Sequence, residues 1–248
     1  MGKIIKYEWK KQRTARLIIL FGLLVCMIAF SLGLLLEHDK TIVISLAIMN
    51  FGAFLVIFYT GIESLLVFNK DLRTKQSHML WMIPKSVWEI MGAKFIAAIL
   101  QMLFVFVLFL AAGGVGISMA LAKSGGVKLL FDTIKQVAEF FLQSNLDWGL
   151  VIQVLFILFL AWTEIIMAGF LAIVISRTLL LKSKFAGLFS IILFFIITWA
   201  IEKVYALMSG AMGITSWGLE IWDLVYYAVV CGILFVASCL LADKKLSV

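Results

Sequence analysis

The sequence predicts an all-α integral membrane protein with six transmembrane helices and shorter interfacial helices attached. Of its 248 residues, 64% are hydrophobic and only 14% charged, and the mean hydropathy is +1.14. A soluble domain has about 45–50% apolar and about 25% charged residues. The apolar residues fall in continuous runs of about twenty, the length that crosses a hydrocarbon core about 30 Å thick. A transmembrane barrel would instead show alternating strands of roughly ten residues. Only a helix satisfies its backbone hydrogen bonds within one such run in lipid. A single proline and 18 glycines speak against disorder and against a loop-rich β fold.

Each element follows from local composition. Residues 2–16 mix Ile4, Ile5, Tyr7 and Trp9 with six basic side chains, which predicts an amphipathic helix lying in the interface with its aromatics at headgroup depth. The basic start followed by an apolar run resembles a signal peptide, but the run continues to Leu36 with no small-residue cleavage site. It is expected to be a retained first span. The spans are expected at about 17–36, 42–68, 95–119, 150–176, 185–201 and 224–242. The second and fourth exceed the minimum and are expected to tilt or project beyond the bilayer; the fifth is the shortest.

Between spans three and four, Val127, Leu130, Ile134, Val137, Ala138 and Phe141 recur at steps of three and four. Asp132, Lys135, Gln136, Glu139 and Gln143 fill the other face, so segment 120–149 is expected to hold a surface helix. Segment 202–223 is semi-apolar and punctuated by glycine, and is expected to form short re-entrant or interfacial helices. One transmembrane domain covers 1–248.

Sidedness follows from lysine and arginine. Six lie in 1–16, five in 69–94, three in 177–184 and two in 244–245. An even number of spans puts all of these segments on one side, together sixteen of the 21 basic residues, while eight of the fourteen acids lie opposite. Positive charge stays cytoplasmic. The chain is therefore expected in the cell (plasma) membrane as a multi-pass protein with both termini cytoplasmic. The net charge of +7 then reflects attraction to the anionic leaflet, about 1 kcal/mol per basic group near the surface, and no nucleic-acid partner is expected.

Soluble-enzyme chemistry is missing. The chain has no GxxxxGK[ST] phosphate loop, no HExxH, no CxxC and no GxSxG, so no ATP site, metal site or catalytic triad is expected on it. Its two histidines, His38 and His78, fall on opposite sides. Cys26, Cys231 and Cys239 all lie in apolar runs and are expected to behave as small hydrophobes. Two acids fall inside spans, Glu63 near one end and Glu164 near the middle. Such groups usually face a bundle interior or a cavity. Glu164 is read either as a pathway or ion-coupling residue or as a protonated packing residue.

One amphipathic island stands apart. Residues 69–94, NKDLRTKQSHMLWMIPKSVWEIMGAK, carry the only proline, Pro84, together with Trp81, Met82 and Trp88. Pro84 lacks a backbone donor and disfavours helix at Ile83, so it can separate a short helix at about 72–82 from the span that follows. Trp81, Met82 and Trp88 are expected to anchor that helix at the headgroups, leaving Arg73, Lys75, Gln76 and His78 toward a partner.

This order of elements resembles the permeases of type-2 ABC exporters. In that family a cytosolic amphipathic segment precedes the first of six spans. A coupling helix joins spans two and three and ends in a Pro-x-Ser turn. The matching residues here are Phe68, Asp71, Leu80, Pro84, Ser86 and Lys94, and YEWKKQRTARL at 7–17 is similar to the family's basic elbow. The loop after span three is longer than many members carry.

The resemblance implies an N-terminal interfacial elbow helix, a cytosolic coupling helix and extracytoplasmic re-entrant or surface helices around the six spans. It implies a transport subunit rather than an enzyme, with ATP and Mg bound by a separate ATP-binding cassette subunit and no cofactor on this chain. The other partners implied are a second permease copy or a related permease, and the lipid bilayer. The cargo implied is an exported amphiphile, whether peptide, antibiotic or lipid-like. Partner coupling is expected at Asp71, Arg73, Lys75, Gln76, His78, Leu80, Trp81, Pro84 and Ser86. The rival expectation is an ion-gradient-driven secondary transporter or channel that needs no ATPase and depends on Glu164.

Overall fold

The computed structural model describes residues 2–73, 86–143, 148–180, 185–212 and 221–246. Its elements are α1 (Gly2–Lys11), α2 (Arg13–Leu35), α3 (Asp39–Arg73), α4 (Val87–Gln143), α5 (Trp148–Leu179), α6 (Ala186–Met212) and α7 (Ile221–Leu246). No strand occurs among the described residues. Six helices are long and apolar enough to cross a membrane: Arg13–Leu35, Asp39–Leu72, Val87–Lys123, Gly149–Leu179, Ala186–Gly210 and Ile221–Lys244. Among the described residues the chain is thus all-α, with six helices fit to be the six expected spans. Their outward faces are greasy, with Phe21, Leu24 and Ile28 exposed on α2 and Phe195 and Trp199 on α6. A water-facing surface rarely shows such large contiguous apolar area.

Several helix ends differ from the sequence reading, α3 running 39–73 and α4 starting at Val87, and three differences change an element. First, α1 ends at Lys11, and Arg13–Arg16 already belong to α2. The break falls at Gln12, whose carbonyl accepts from the Arg16 N–H at 3.3 Å. Second, the helix expected in 120–149 is not a separate element. It is the continuation of α4, which runs 57 residues to Gln143, because nothing between Ala120 and Gln143 forces the backbone out of helical hydrogen bonding. Third, α6 runs 27 residues to Met212, so it is not the shortest span. Residues 202–212 extend it rather than forming a re-entrant helix. Ala206, Leu207 and Met208 are good helix formers, and one glycine at 210 costs only about 1 kcal/mol against alanine. Residues 213–220 lie outside the described residues.

The chain divides into two compact units, with α3 and α4 each contributing to both. The unit of residues 5–61 and 99–146 contains α2 with the larger parts of α1 and α4 and the first part of α3. Its α2–α3 corner is tight. The His38 N–H reaches back to the Gly33 carbonyl at 3.0 Å, and Glu37 between them takes φ 54, the left-handed closure that glycine usually fills. A side chain at Gly33 would press on the Ile42 backbone at 3.2 Å. An open apolar cleft of about 330 Å³ runs beside Ala15, Gly22, Gly52 and Phe109.

The unit of residues 1–4, 62–98 and 147–248 holds α5, α6 and α7 with the adjoining ends of α3 and α4. Helix α5 packs on both α6 and α7. A core gathers Phe68, Met91, Ile166, Met167, Phe170, Val174 and Cys239, with the rings of Phe68 and Phe170 4.7 Å apart. Close approach of α3 to α5 depends on Gly169, where an added Cβ would sit 2.5 Å from Leu65 Cδ2. Forcing extra atoms into a packed core typically costs about 1–3 kcal/mol. Gly169→Ala is therefore expected to lower the thermal midpoint in detergent, and Gly169→Ala with Leu65→Ala to cost less than the two single losses added. Additivity to within about 0.5 kcal/mol would contradict the contact. Gly232, with open space around it, is the control: Gly232→Ala meets no clash and is expected to keep or raise the midpoint, since glycine inside a helix costs about 1 kcal/mol against alanine.

Candidate functional site

The sequence-predicted coupling residues meet the described structure at the two ends of segment 74–85. Helix α3 reaches it at Arg73, and α4 leaves it at Val87. Lys75, Gln76, His78, Leu80, Trp81 and Pro84 lie outside the described residues. Ser86 is placed. Its Oγ accepts from the Glu89 N–H at 3.3 Å and its carbonyl from the same N–H at 3.0 Å. Ser86 is thus the N-cap of α4, and Ser86-x-x-Glu89 has the spacing of a capping box. That signal was in the sequence and marks where the helix must begin.

Just inside these ends, Lys94 Nζ donates to Asp71 Oδ2. The side chains are 4% and 7% exposed. Asp71 stands two residues before the end of α3, and Lys94 two turns into α4. The pair therefore bolts together the two helices that carry segment 74–85. Phe68, one turn before Asp71, lies under the ammonium with its ring centroid 6.0 Å from Nζ. Three residues that carried the family resemblance, Phe68, Asp71 and Lys94, are thus one physical cluster.

A second link lies beside it. Arg177, near the end of α5, donates from Nε and Nη2 to Asn69 Oδ1 at 3.0 and 2.6 Å. Ser176 Oγ donates to the Ala186 carbonyl, joining the end of α5 to the start of α6. Trp88, expected at the headgroups, is partly exposed and meets Phe235 edge-on with centroids 6.0 Å apart.

These contacts correct one reading. Lys94, Arg177 and Arg16 were counted among groups facing the anionic leaflet, yet all three are buried. Arg16 donates to Gln101 Oε1 at 2.9 Å and to the Trp9 carbonyl at 2.6 Å. Its guanidinium lies 4.1 Å from the Trp9 ring centroid, a cation–π distance. The sidedness count uses only position along the chain and cannot tell which side chains turn inward.

The intramembrane acids differ from each other. Glu63 is half-buried on α3. Glu164 is 6% exposed, midway along α5, and its Oε1 has no hydrogen-bond partner among the described residues. Within electrostatic range stand Glu202 on α6 and Tyr226, Tyr227 and Cys231 on α7. Nearby, the Tyr205 hydroxyl donates to Asp223 Oδ1 and the Tyr226 hydroxyl to the Ile201 carbonyl at 2.7 Å. The sequence reading missed this cluster because it assigned residues 202–223 to re-entrant helices, which hid the pairing of Tyr205 with Asp223. Comparison of the chain with known protein families, curated proteins and solved structures finds no match.

The Asp71–Lys94 pair makes a specific stability forecast. Removing one member of a buried ion pair strands the other charge and costs about 3–5 kcal/mol, whereas replacing both by apolar groups is often close to neutral. Asp71→Leu and Lys94→Met singly are expected to lower the thermal midpoint sharply. The double variant Asp71→Leu/Lys94→Met is expected to recover most of the loss. A double variant as damaged as the sum of the singles would show that the two side chains do not act as a pair.

Proposed function

We propose that this chain is the membrane-spanning permease subunit of an ATP-driven type-2 ABC exporter. It would pair with a second permease to form the pathway for an amphiphilic cargo, and ATP and Mg would be bound by separate ATP-binding cassette subunits. The chain itself would be a transport subunit, not an enzyme, in the cell membrane with both termini cytoplasmic.

The observation that carries this reading is the Asp71–Lys94 pair. A soluble motor must move spans without entering the bilayer. It can do so by pushing on a polar segment between two helices, provided those helices follow the segment together. The buried pair supplies that rigidity at both ends of 74–85, and the Asn69–Arg177 link carries displacement on to α5. The six apolar helices and the concentration of basic residues on one face of the topology fit the same arrangement.

Glu164 favours a second reading, a secondary transporter or channel driven by an ion gradient without an ATPase. A buried carboxyl with an unpartnered oxygen is the kind of group such proteins use for coupling. Under that reading, transport persists in the absence of any nucleotide-binding subunit and stops in Glu164→Gln.

Charge reversal discriminates the two. Opposing like charges across an interface costs several kcal/mol, and each 1.4 kcal/mol is about tenfold in affinity. Arg73→Glu/Lys75→Glu is expected to weaken capture of the nucleotide-binding subunit at least about tenfold and to lower partner-stimulated activity in step. Membrane insertion and the melting temperature of the isolated chain are expected to stay unchanged. Full partner-stimulated activity in this variant would contradict docking at 72–82.

A further inference from the structure

We propose that α3 pairs this chain with a second copy of itself, the Asn50 carboxamides of the two copies hydrogen-bonding across a twofold axis. That the pair forms an exporter's pathway rests on the permease reading; the pairing itself does not.

Asn50 breaks a pattern that other polar side chains inside the spans obey. Such groups usually turn into a protein interior. Gln101 and Glu164 are buried, and Glu63 and Gln153 half-buried. Asn50 is exposed, with Ile48 and Phe51 beside it exposed as well. It stands eleven residues into α3, about 16 Å from the helix start. One N–H of its amide donates to the Leu46 carbonyl at 3.1 Å. The second N–H and Oδ1 have no hydrogen-bond partner among the described residues. Ser118, also exposed, shows the contrast, since its single hydroxyl proton is spent on the Val115 carbonyl at 2.8 Å. Hydrocarbon offers an amide no partner, so a donor and an acceptor left facing it are costly until another protein surface covers them.

The chemistry of the amide selects the partner. Copies of one chain enter a membrane with the same sidedness, so a twofold axis relating two of them runs along the membrane normal. Each residue near that axis meets its own counterpart at the same depth. A carboxylate or an ammonium there would repel its counterpart. A carboxamide carries both donors and an acceptor, so two of them complete each other. An acyl chain offers neither group.

The surroundings allow the approach. Ala47 and Ala53 stand three residues to either side of Asn50, and small residues let helix backbones come close in a bilayer. Beside them an open apolar cleft of about 330 Å³ lies between α3 and α4, lined by Leu46, Asn50, Ala53, Phe109, Gly113 and Gly116. These residues all belong to the unit of 5–61 and 99–146. The cleft gives large side chains of the facing helix a place to seat, Phe54 among them, exposed one turn beyond Asn50. Few residues of α3 are buried within this chain, which leaves the face free for a second copy.

The test uses the full chain in liposomes over a series of protein-to-lipid ratios, with copies carrying donor and acceptor fluorophores on a C-terminal tag. Energy transfer reads the dissociation constant of pairing. Asn50→Leu is expected to weaken pairing at least about threefold, the low end of what interhelical hydrogen bonds in membranes contribute, and Asn50→Gln to restore most of it. The position is exposed, so leucine there is expected to leave the melting temperature of the monomer unchanged. With Cys26, Cys231 and Cys239 replaced by alanine, Ala47→Cys is expected to give a disulfide-linked dimer on mild oxidation, since a bridge needs Cα atoms within about 7 Å. Phe195→Cys, on the exposed face of α6, is expected to give none. Pairing as tight in Asn50→Leu as in the unaltered chain would overturn the proposal, and so would cross-linking at Ala47→Cys no greater than at Phe195→Cys. Capture of a nucleotide-binding subunit is scored separately. Pairing through Asn50 without such a subunit keeps the interface and fails the permease reading. A subunit bound to this chain and a different permease, with no self-pairing, removes the interface alone.

Discussion

The buried Asp71–Lys94 pair is the constraint on which the rest depends. An ion pair taken out of water is weak evidence for stability, since desolvation can exceed the Coulombic gain. Its value here is positional. The two side chains are almost wholly shielded, so parting them costs two buried charges their mutual bond, and α3 and α4 are held in one register at the place where the chain leaves them for segment 74–85. A pair of leucines would pack as well but would let the helices slide. The charge pair fixes one arrangement and makes departures from it expensive.

Helix α5 connects this constraint to the second polar cluster. Arg177, which grips Asn69 of α3, and Glu164 are thirteen residues apart on the same uninterrupted helix, about 20 Å at 1.5 Å per residue. Between them lie Ile166, Met167, Phe170, Ile173 and Val174, all buried in the core shared with Phe68 and Met91. A displacement at the end of α3 would therefore meet close-packed side chains, rather than a flexible loop, on the way to Glu164. Both clusters belong to one compact unit of the chain, so this connection needs no assumption about the other unit.

The architecture was legible where bilayer physics dictates sequence. A span needs about twenty apolar residues, so six runs announced six helices. Helix ends were less legible because a helix that has left the hydrocarbon has no thickness to obey. Thus α4 continues to Gln143 and α6 to Met212, with only glycine and serine where a turn was expected. Side-chain partners were the least legible. Asp71 and Lys94 were noticed as residues but not as a pair, because they are 23 positions apart and flank a segment whose course the sequence does not fix. Arg16 was read as facing the leaflet, although it lies against Trp9 and Gln101. Glu164 could be found because a carboxylate inside an apolar run is conspicuous, whereas Tyr205 and Tyr226, which bond Asp223 and the Ile201 carbonyl, look like any aromatic residues in a membrane protein.

The central claim is that this chain is driven by a soluble nucleotide-binding partner. The most direct measurement is gentle extraction of the tagged chain from its native membrane, followed by identification and counting of what accompanies it. The account expects a soluble subunit carrying GxxxxGK[ST] in stoichiometric amount. A complex that transports cargo along an ion gradient with no ATPase in it would contradict the account and leave Glu164, rather than the Asp71–Lys94 pair, at the centre of the mechanism.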